Sequence, residues 1–218
     1  MKIARWICFS MLFLVFSEVV ADKSAEEAFS EIYEHRVWGV GPEGLGSSGG
    51  GSILKTTVVY RKFLQNFLSD YNVESVVDLG CGDWEFSRVM NWNGIDYFGY
   101  DVVPQLVIKN QNKYGAPNIQ FFQGDAIHTD LPPADLLICK DVLQHLPHED
   151  IIALVAQLHK FKYCLITNDI GTNQSTSRGG YRGLDLTLPP FSLKGVKILT
   201  YPSEGQLKQV LLITQGEM

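Results

Sequence analysis

Along most of the chain, apolar residues follow one of two spacings, and each spacing predicts one kind of element. Residues 53–71 place their apolar side chains at helical intervals on a single face, which predicts a helix. From there, short apolar runs typical of buried strands alternate with helix-like segments. The predicted strands are "ESVVDLG", "DYFGYDV", "IQFFQGD", "DLLICK" and "YCLITND", and the predicted helices are "EFSRVMNW", "PQLVIKNQNKYG" and "HEDIIALVAQLHKF". This alternation indicates an α/β fold whose mainly parallel sheet is covered on both faces.

The end of the chain has a different pattern. The runs "VKILTYP" and "QVLLITQ" are both rich in strand-forming residues, and only the short polar link "SEGQLK" separates them. A helix does not fit into this link, so the two runs are predicted to pair as an antiparallel hairpin at the edge of the sheet. Together with the five earlier strands, the hairpin gives a predicted sheet of seven strands.

The start of the chain has the layout of a secretory signal over residues 1–21. "MKIAR" carries two positive charges, "WICFSMLFLVF" is an unbroken apolar run, and Ala21 is the small residue that precedes cleavage. An uncleaved membrane anchor is the alternative. The protein is therefore predicted to be secreted or periplasmic, with a cytoplasmic or membrane-anchored protein as the alternative.

Residues 22–52 are predicted to form an amphipathic helix that ends near Gly39, followed by a glycine-rich stretch over 40–52. Taken alone, that stretch has the composition of a flexible linker. Because it lies between two predicted helices of one domain, we interpret it as a mobile lid. Residues 53–218 are predicted to form the main domain.

Composition and charge narrow the classes of function. A chain of 218 residues with 45% hydrophobic residues suits one well-buried domain. The net charge of −6, without any extended Lys/Arg block, argues against general binding to nucleic acid backbones. Cys81, Cys139 and Cys164 lie in or beside apolar runs, and their spacing indicates neither a disulfide framework nor a metal site. The body thus has the character of an intracellular enzyme, whereas the leader predicts export.

The stretch "VVDLGCGDWEF", residues 76–86, carries the first chemical motif. A tight glycine turn between a strand and a helix lets a ligand approach the backbone. Gly80 and Gly82 satisfy the first two positions of the dinucleotide pattern G-x-G-x-x-G, but the third position is Glu85. A carboxylate at that position repels a pyrophosphate, so a nicotinamide dinucleotide is disfavoured.

The same stretch resembles motif I of the class I S-adenosylmethionine (SAM)-dependent methyltransferases, acidic-x-Gly-x-Gly-x-Gly. Asp78, Gly80 and Gly82 match it, and Trp84 replaces the third glycine. The resemblance covers about residues 53–215 and implies a seven-stranded, mostly parallel Rossmann-like sheet with a C-terminal antiparallel hairpin. It implies that Asp101 binds the ribose hydroxyls and that Asp125 and the backbone of Ala126 meet the adenine. The cofactor is then SAM, and the residues predicted to bind it are Asp78, Gly80, Cys81, Gly82, Asp101, Val102, Gly124, Asp125, Ala126 and Lys140.

The methyl acceptor is predicted to meet the stretch "CKDVLQHLPHED" and the long polar loop after the fifth strand. The candidate catalytic residues are Asp141, His145, Asp169 and Arg182, with Tyr181 beside them. His145 is either a general base or a helix residue packed beside the adenine. Asp141 either orients the acceptor or begins a helix, and Arg182 either clamps an anionic substrate or lies at the surface.

The leading hypothesis is therefore transfer of a methyl group from SAM to a small molecule or a protein side chain. The Asn/Asp-Pro-Pro-aromatic signature of enzymes that methylate nucleobase or glutamine amides is missing after the fourth strand, which disfavours such acceptors. Two alternatives remain: an aminopropyl transferase on the same fold, and a non-catalytic binding module such as an exported effector.

Overall fold

The computed structural model describes residues 23–41, 44, 46–125 and 127–216. The predicted leader and Ala126 lie outside the described residues. The strands are β1 (Ser75–Leu79), β2 (Asp96–Asp101), β3 (Ile119–Gln123), β4 (Ala134–Lys140), β5 (Phe161–Asp169), β6 (Val196–Ser203) and β7 (Gln206–Thr214). The α-helices are α1 (Ala25–Glu34), α2 (Val58–Asp70), α3 (Pro104–Tyr114) and α4 (His148–Val155).

The seven strands form one sheet in the order β3-β2-β1-β4-β5-β7-β6. The first five strands in this order are parallel, whereas β7 is antiparallel to both β5 and β6. The predicted fold class, including the C-terminal hairpin, is confirmed. The strand order reverses between β1 and β4, and ligands of open parallel sheets bind at the carboxyl ends of the strands on either side of such a point.

Two apolar layers cover the sheet. On one face, Tyr60 and Leu64 of α2 pack with Tyr97 of β2, and all three are almost fully buried. On the other face, α4 packs against β4 and β5, for example through Ile151 and Leu137. The central strands are therefore buried on both sides, which explains why their sequences read as continuous apolar runs.

The helix predicted over residues 85–92 is wrong. Only a short 3₁₀ turn, Ser87–Val89, forms there. Trp84, Phe86 and Trp92 all enter the same core cluster, yet their spacing would scatter them around an α-helix. An irregular chain buries all three instead, and Trp92 donates its indole N–H to the carbonyl of Ser87 at 2.9 Å.

Three other helices are shorter than predicted. Helix α2 begins at Val58, because the hydroxyl of Thr57 donates to the carbonyl of Ile53 (2.8 Å) in a preceding turn. Helix α1 ends at Glu34, just before Arg36 turns left-handed (φ 57°). Helix α4 ends at Val155. Among the residues that the structure describes, no helix is both long and apolar enough to cross a membrane.

The long loop between β5 and β6 returns to its own starting point. A Cβ atom on Gly171 would lie 2.4 Å from the carbonyl carbon of Gly183, so the two backbones touch. The N–H of Leu184 also donates to the carbonyl of Asp169 at 2.7 Å. Residues 172–182 are therefore an excursion with a fixed base. Its tip reaches the 3₁₀ turn Leu143–His145 after β4, where the N–H of Gly179 donates to the carbonyl of His145 (2.9 Å).

Candidate active site

The turn after β1 is built around the carbonyl of Tyr100. The N–H groups of Gly80 and Cys81 both donate to it, at 2.8 and 3.0 Å. Gly80 has a φ of 72°, and a Cβ atom there would lie 2.3 Å from the Val142 side chain. This position therefore needs glycine for its backbone angle and for the close approach of Val142.

Asp101, at the end of β2, joins the tips of β1 and β2. One carboxylate oxygen accepts from the N–H of Gly82 at 2.8 Å, and the other accepts from the N–H of Val103 at 3.0 Å. Burial raises the pKa of Asp101 to about 6, although these hydrogen bonds act in the opposite direction. A carboxylate has about four lone-pair sites, so Asp101 keeps acceptor capacity for a ligand.

Asp78 lies beneath this turn, in the core, with 3% of its surface exposed. Its carboxylate accepts from the hydroxyl of Tyr97. Burial raises the pKa of Asp78 to about 7, although the Tyr97 hydrogen bond and the nearby Lys140 lower it. The structure thus places Asp78 under the glycine turn, whereas it places Asp101 at the carboxyl edge of the sheet.

A first cavity, about 40 Å³ in volume, opens beside the turn. Its walls are mostly apolar, and Asp125 is their acidic member; they include Phe29, Val102, Gly124, Asp125, Val142 and Leu146. One oxygen of Asp125 accepts from the N–H of Ile127 at 2.9 Å, and the other lies 2.6 Å from Nδ1 of His128. Burial raises the pKa of Asp125, but its hydrogen bonds with His128 outweigh burial and lower the pKa overall. The predicted residues Val102, Gly124 and Asp125 are thus brought together.

The glycine-rich segment, residues 46–52, lies across the turn after β1. The N–H of Ser48 donates to the carboxylate of Asp83 (3.1 Å), and the N–H of Asp83 donates to the hydroxyl of Ser48 (2.8 Å). The hydroxyl of Tyr33 is 2.7 Å from the same oxygen. A Cβ atom on Gly50 would overlap the carboxylate of Glu204 in the β6–β7 turn, at 1.8 Å. The segment therefore spans from the turn after β1 to the terminal hairpin.

A second cavity, of about 370 Å³, lies beneath this segment on the side of β4 and β5. The predicted residues Asp141, His145, Asp169 and Tyr181 line it together. Lys208 and Gln144, which the sequence analysis did not single out, line it as well. The sequence contains one indication of the position of Lys208. In "QLKQVLLIT" it alternates with Val210 and Leu212, so the three side chains lie on the same face of β7.

Lys208 connects two acidic groups at the floor of the second cavity. It is 3% exposed, and its Nζ atom lies 2.8 Å from one oxygen each of Asp141 and Asp169. The second oxygen of Asp141 accepts from Lys140, and that of Asp169 accepts from the hydroxyl of Tyr181 at 3.0 Å. Burial alone would raise the pKa of Asp141, but the two lysines hold it below its usual value. Lys208 is therefore paired with both carboxylates, and Asp141 is ionised.

Lys140, predicted to bind the cofactor, is also held by the protein. Its Nζ atom donates to the carbonyl of Gly51 at 2.8 Å and to Asp141. The same atom lies about 5.5 Å from the ring centres of Tyr60 and Phe86. Burial lowers the pKa of Lys140, and Asp141 offsets part of that effect. Lys140 thus ties the glycine-rich segment to the end of β4.

Arg182 lies outside the lining of the second cavity, so the structure does not bring it together with the other residues predicted to meet the acceptor. Its guanidinium group is buried and donates to the carbonyl groups of Leu143 (2.7 Å) and Gln174 (3.0 Å). Burial lowers its pKa to about 10. The predicted alternative of a surface position is therefore wrong: a carbonyl in the β5–β6 loop and one in the turn after β4 hold the buried guanidinium group, so Arg182 joins these two segments.

The comparisons with known proteins agree with this architecture. Residues 76–161 match the family model of a methyltransferase domain. No curated protein sequence matches the chain. The fold is similar to that of magnesium protoporphyrin IX methyltransferase from Synechocystis PCC 6803, crystallised with bound SAM. That similarity has a TM-score of 0.60 and 17% identity, and it covers 89% of this chain and 99% of that one.

Two further solved structures share the fold. The methyltransferase domain of a bacterial Hen1 protein, CtHen1, aligns with a TM-score of 0.54 and 14% identity, over 71% of this chain and 97% of that one. Human N-acetylserotonin methyltransferase in complex with SAM aligns with a TM-score of 0.50 and 16% identity, over 72% of this chain and 55% of that one. At these identities, the similarity concerns the fold.

Proposed function

We propose that the chain is a class I SAM-dependent methyltransferase, which transfers the methyl group of SAM to an acceptor bound in the second cavity. The methyltransferase family model matched over residues 76–161 and the strand order of the sheet support this proposal. When bound, SAM supplies a methyl group on a positively charged sulfur. The chain's own residues then have to bind the adenosyl part, place an acceptor in line with the methyl group and exclude water.

The first cavity and the turn beside it fit an adenosine group. Phe29, Val102 and Leu146 supply apolar walls for a purine, and Asp125 supplies an acceptor for its amino group. The remaining lone pairs of Asp101 suit a pair of ribose hydroxyls. The glycine turn leaves the space that a ligand needs to approach the backbone.

The observation that carries the proposal is the position of the two cavities relative to each other. Val142 lines the first cavity, and its neighbour Asp141 lines the second. The cavities thus meet at the end of β4, where the strand order reverses. A ligand in the first cavity and an acceptor in the second would therefore both lie beside this short piece of backbone, within reach of each other.

Helix α1 and the glycine-rich segment form the outer walls of these cavities, through Ala25 and Phe29 for the first and Gly49–Gly51 for the second. A cavity of about 40 Å³ is smaller than a purine. We therefore expect helix α1, the outer wall of the first cavity, to move outward when SAM enters. The glycine-rich segment covers the second cavity, and there we propose it as the lid over the acceptor.

Titration calorimetry with SAM and with its demethylated product, S-adenosylhomocysteine, tests the proposal. We expect the wild-type protein to bind both. Asp101→Ala should weaken binding at least about 100-fold, because two hydrogen bonds to a charged group are worth about 1.5–3 kcal/mol each. Asp101→Asn keeps the size of the side chain and should weaken binding less, which separates ribose recognition from distortion of the turn.

Asp96→Ala is the matched control, since Asp96 is exposed at the opposite end of the same strand. We expect it to bind SAM as the wild-type protein does. Wild-type protein that ignores both nucleosides would contradict the proposal. Binding without any transfer of labelled methyl groups to a metabolite extract or to lysate proteins would instead favour a non-catalytic binding module.

A further inference from the structure

The imidazole of His145 has a defined orientation in the wall of the second cavity. Its Nδ1 atom lies 2.7 Å from the carbonyl oxygen of Gly180, at the tip of the 172–182 excursion. Its ring packs against those of Trp38 and Tyr181, whose centroids are 4.7 and 5.9 Å away. A carbonyl can only accept a hydrogen bond, so Nδ1 carries the proton. In the neutral ring, Nε2 then holds the lone pair.

The carboxylates beside His145 are poor proton acceptors. Asp141 lies between two lysines, and Asp169 accepts from Lys208 and from Tyr181. If either carboxylate took up a proton, a buried lysine would lose an ion-pair partner, which is unfavourable. Among these cavity residues, His145 is therefore the group suited to receive a proton.

The charges of the cavity indicate which acceptors it suits. Its lining contains three acidic residues, Asp141, Asp169 and Glu204, and the two lysines beside them, Lys140 and Lys208, are already bound to the aspartates. An acceptor carboxylate would therefore meet one acidic group in excess and both lysines already paired, so it is disfavoured. A protonated amine has no lone pair until it has lost its proton. A neutral hydroxyl keeps its lone pairs and loses its proton only as the new bond forms.

Building on the proposed methyl transfer, we propose that the acceptor is an uncharged molecule with a hydroxyl group and that Nε2 of His145 is the general base. The hydroxyl oxygen forms the bond to the methyl carbon while the bond from that carbon to the sulfonium sulfur breaks. The hydroxyl proton passes to Nε2, giving a methyl ether, S-adenosylhomocysteine and an imidazolium. Gly180 holds the ring throughout, because Nδ1–H still donates to its carbonyl.

The test uses His145→Asn, whose side-chain amide can still donate to the Gly180 carbonyl but has no basic nitrogen. His159→Asn is the matched control, since Nδ1 of the exposed His159 also lies near a backbone carbonyl, that of Ala156 (2.8 Å), outside the two cavities. Both variants should bind SAM as the wild-type protein does. Methyl transfer is measured on phenol, catechol, benzyl alcohol, benzoate, benzylamine and thiophenol.

We expect the wild-type protein and the His159 variant to methylate hydroxyl probes and to leave benzoate unchanged. His145→Asn should lower kcat for hydroxyl probes about 100-fold or more, the usual contribution of a general base. Any rate on thiophenol, already a thiolate in mildly alkaline buffer, should stay the same in this variant. A purely structural role for His145 would lower both rates together.

The pH profile gives an independent readout. Burial lowers the pKa of His145, so the neutral ring dominates at neutral pH and becomes protonated as the pH falls. The other titratable groups that face it are Asp141, Asp169, Tyr181 and Lys208. For hydroxyl probes, kcat/KM should therefore be level above the His145 pKa and fall tenfold per pH unit below it. This fall should be missing in His145→Asn.

The outcomes separate the two proposals. A protein that does not bind SAM overturns the proposed function, and the role of His145 with it. A protein that binds SAM but methylates only benzoate, benzylamine or thiophenol, or no probe at all, overturns the hydroxyl acceptor alone. Unchanged hydroxyl methylation in His145→Asn overturns the general base.

Discussion

Asp78→Asn should stabilise the ligand-free protein by as much as about 4 kcal/mol at pH 8, because burial raises the pKa of this carboxyl from 3.8 to about 7. A raised carboxyl pKa means that the folded protein prefers the protonated form. This preference stabilises the folded protein to its full extent below pH 3.8, and the stabilisation is lost as the pH rises through about 7. Asparagine avoids the loss, and its carbonyl oxygen can still accept from Tyr97.

Chemical denaturation of both proteins at pH 8 and near pH 4 measures the effect. The stabilisation should be largest at pH 8 and should nearly vanish near pH 4, where the wild-type carboxyl is protonated in the folded state. Asp70→Asn, at an exposed position at the end of α2, is the control and should change stability little at either pH. A variant less stable than wild type at pH 8 would contradict the prediction.

Lys208→Met should destabilise the protein by about 3–5 kcal/mol, since it removes the partner that the buried Asp169 shares with the half-buried Asp141. Methionine fills a similar space, so the loss comes mainly from Asp169, which loses its ion pair, whereas Asp141 keeps Lys140 as a partner. Thermal and urea unfolding measure the change in the free energy of unfolding.

Lys162→Met is the matched control for Lys208→Met. Lys162 lies on the adjacent strand β5, but its side chain is exposed, so we expect a change within about 0.5 kcal/mol. Adding Asp169→Asn to Lys208→Met should recover part of the lost stability. Equal stability of the two lysine variants would show that the ion pairs of Lys208 contribute little.

Local patterns were sufficient to predict the sheet and the tips of its strands. Apolar runs of strand length bounded by glycine or aspartate fixed the approximate positions of β1 to β5, and the short polar link before β7 left room only for a hairpin. The grouping of Asp141, His145 and Asp169 followed from the same reasoning, because the carboxyl ends of parallel strands share one edge.

Contacts between distant residues account for most of what the sequence did not reveal. The ion pairs of Lys208 join residues 67 and 39 positions apart. The fold of the β5–β6 loop decides which backbone carbonyls come within hydrogen-bond distance of Arg182. The segment after Asp83 has a helix-like composition, but three large side chains entering one core cluster outweighed that local preference.

The backbone contact that closes the base of the β5–β6 loop has a consequence for evolution. Because Gly171 and Gly183 fix the two ends against each other, residues 172–182 can change in sequence or length without shifting the pairing of β5 with β7. The same excursion contains Gly180, whose carbonyl orients His145, and Tyr181, whose hydroxyl donates to Asp169. Selection for a new acceptor could therefore act on this one interchangeable segment while the SAM half of the protein stays as it is.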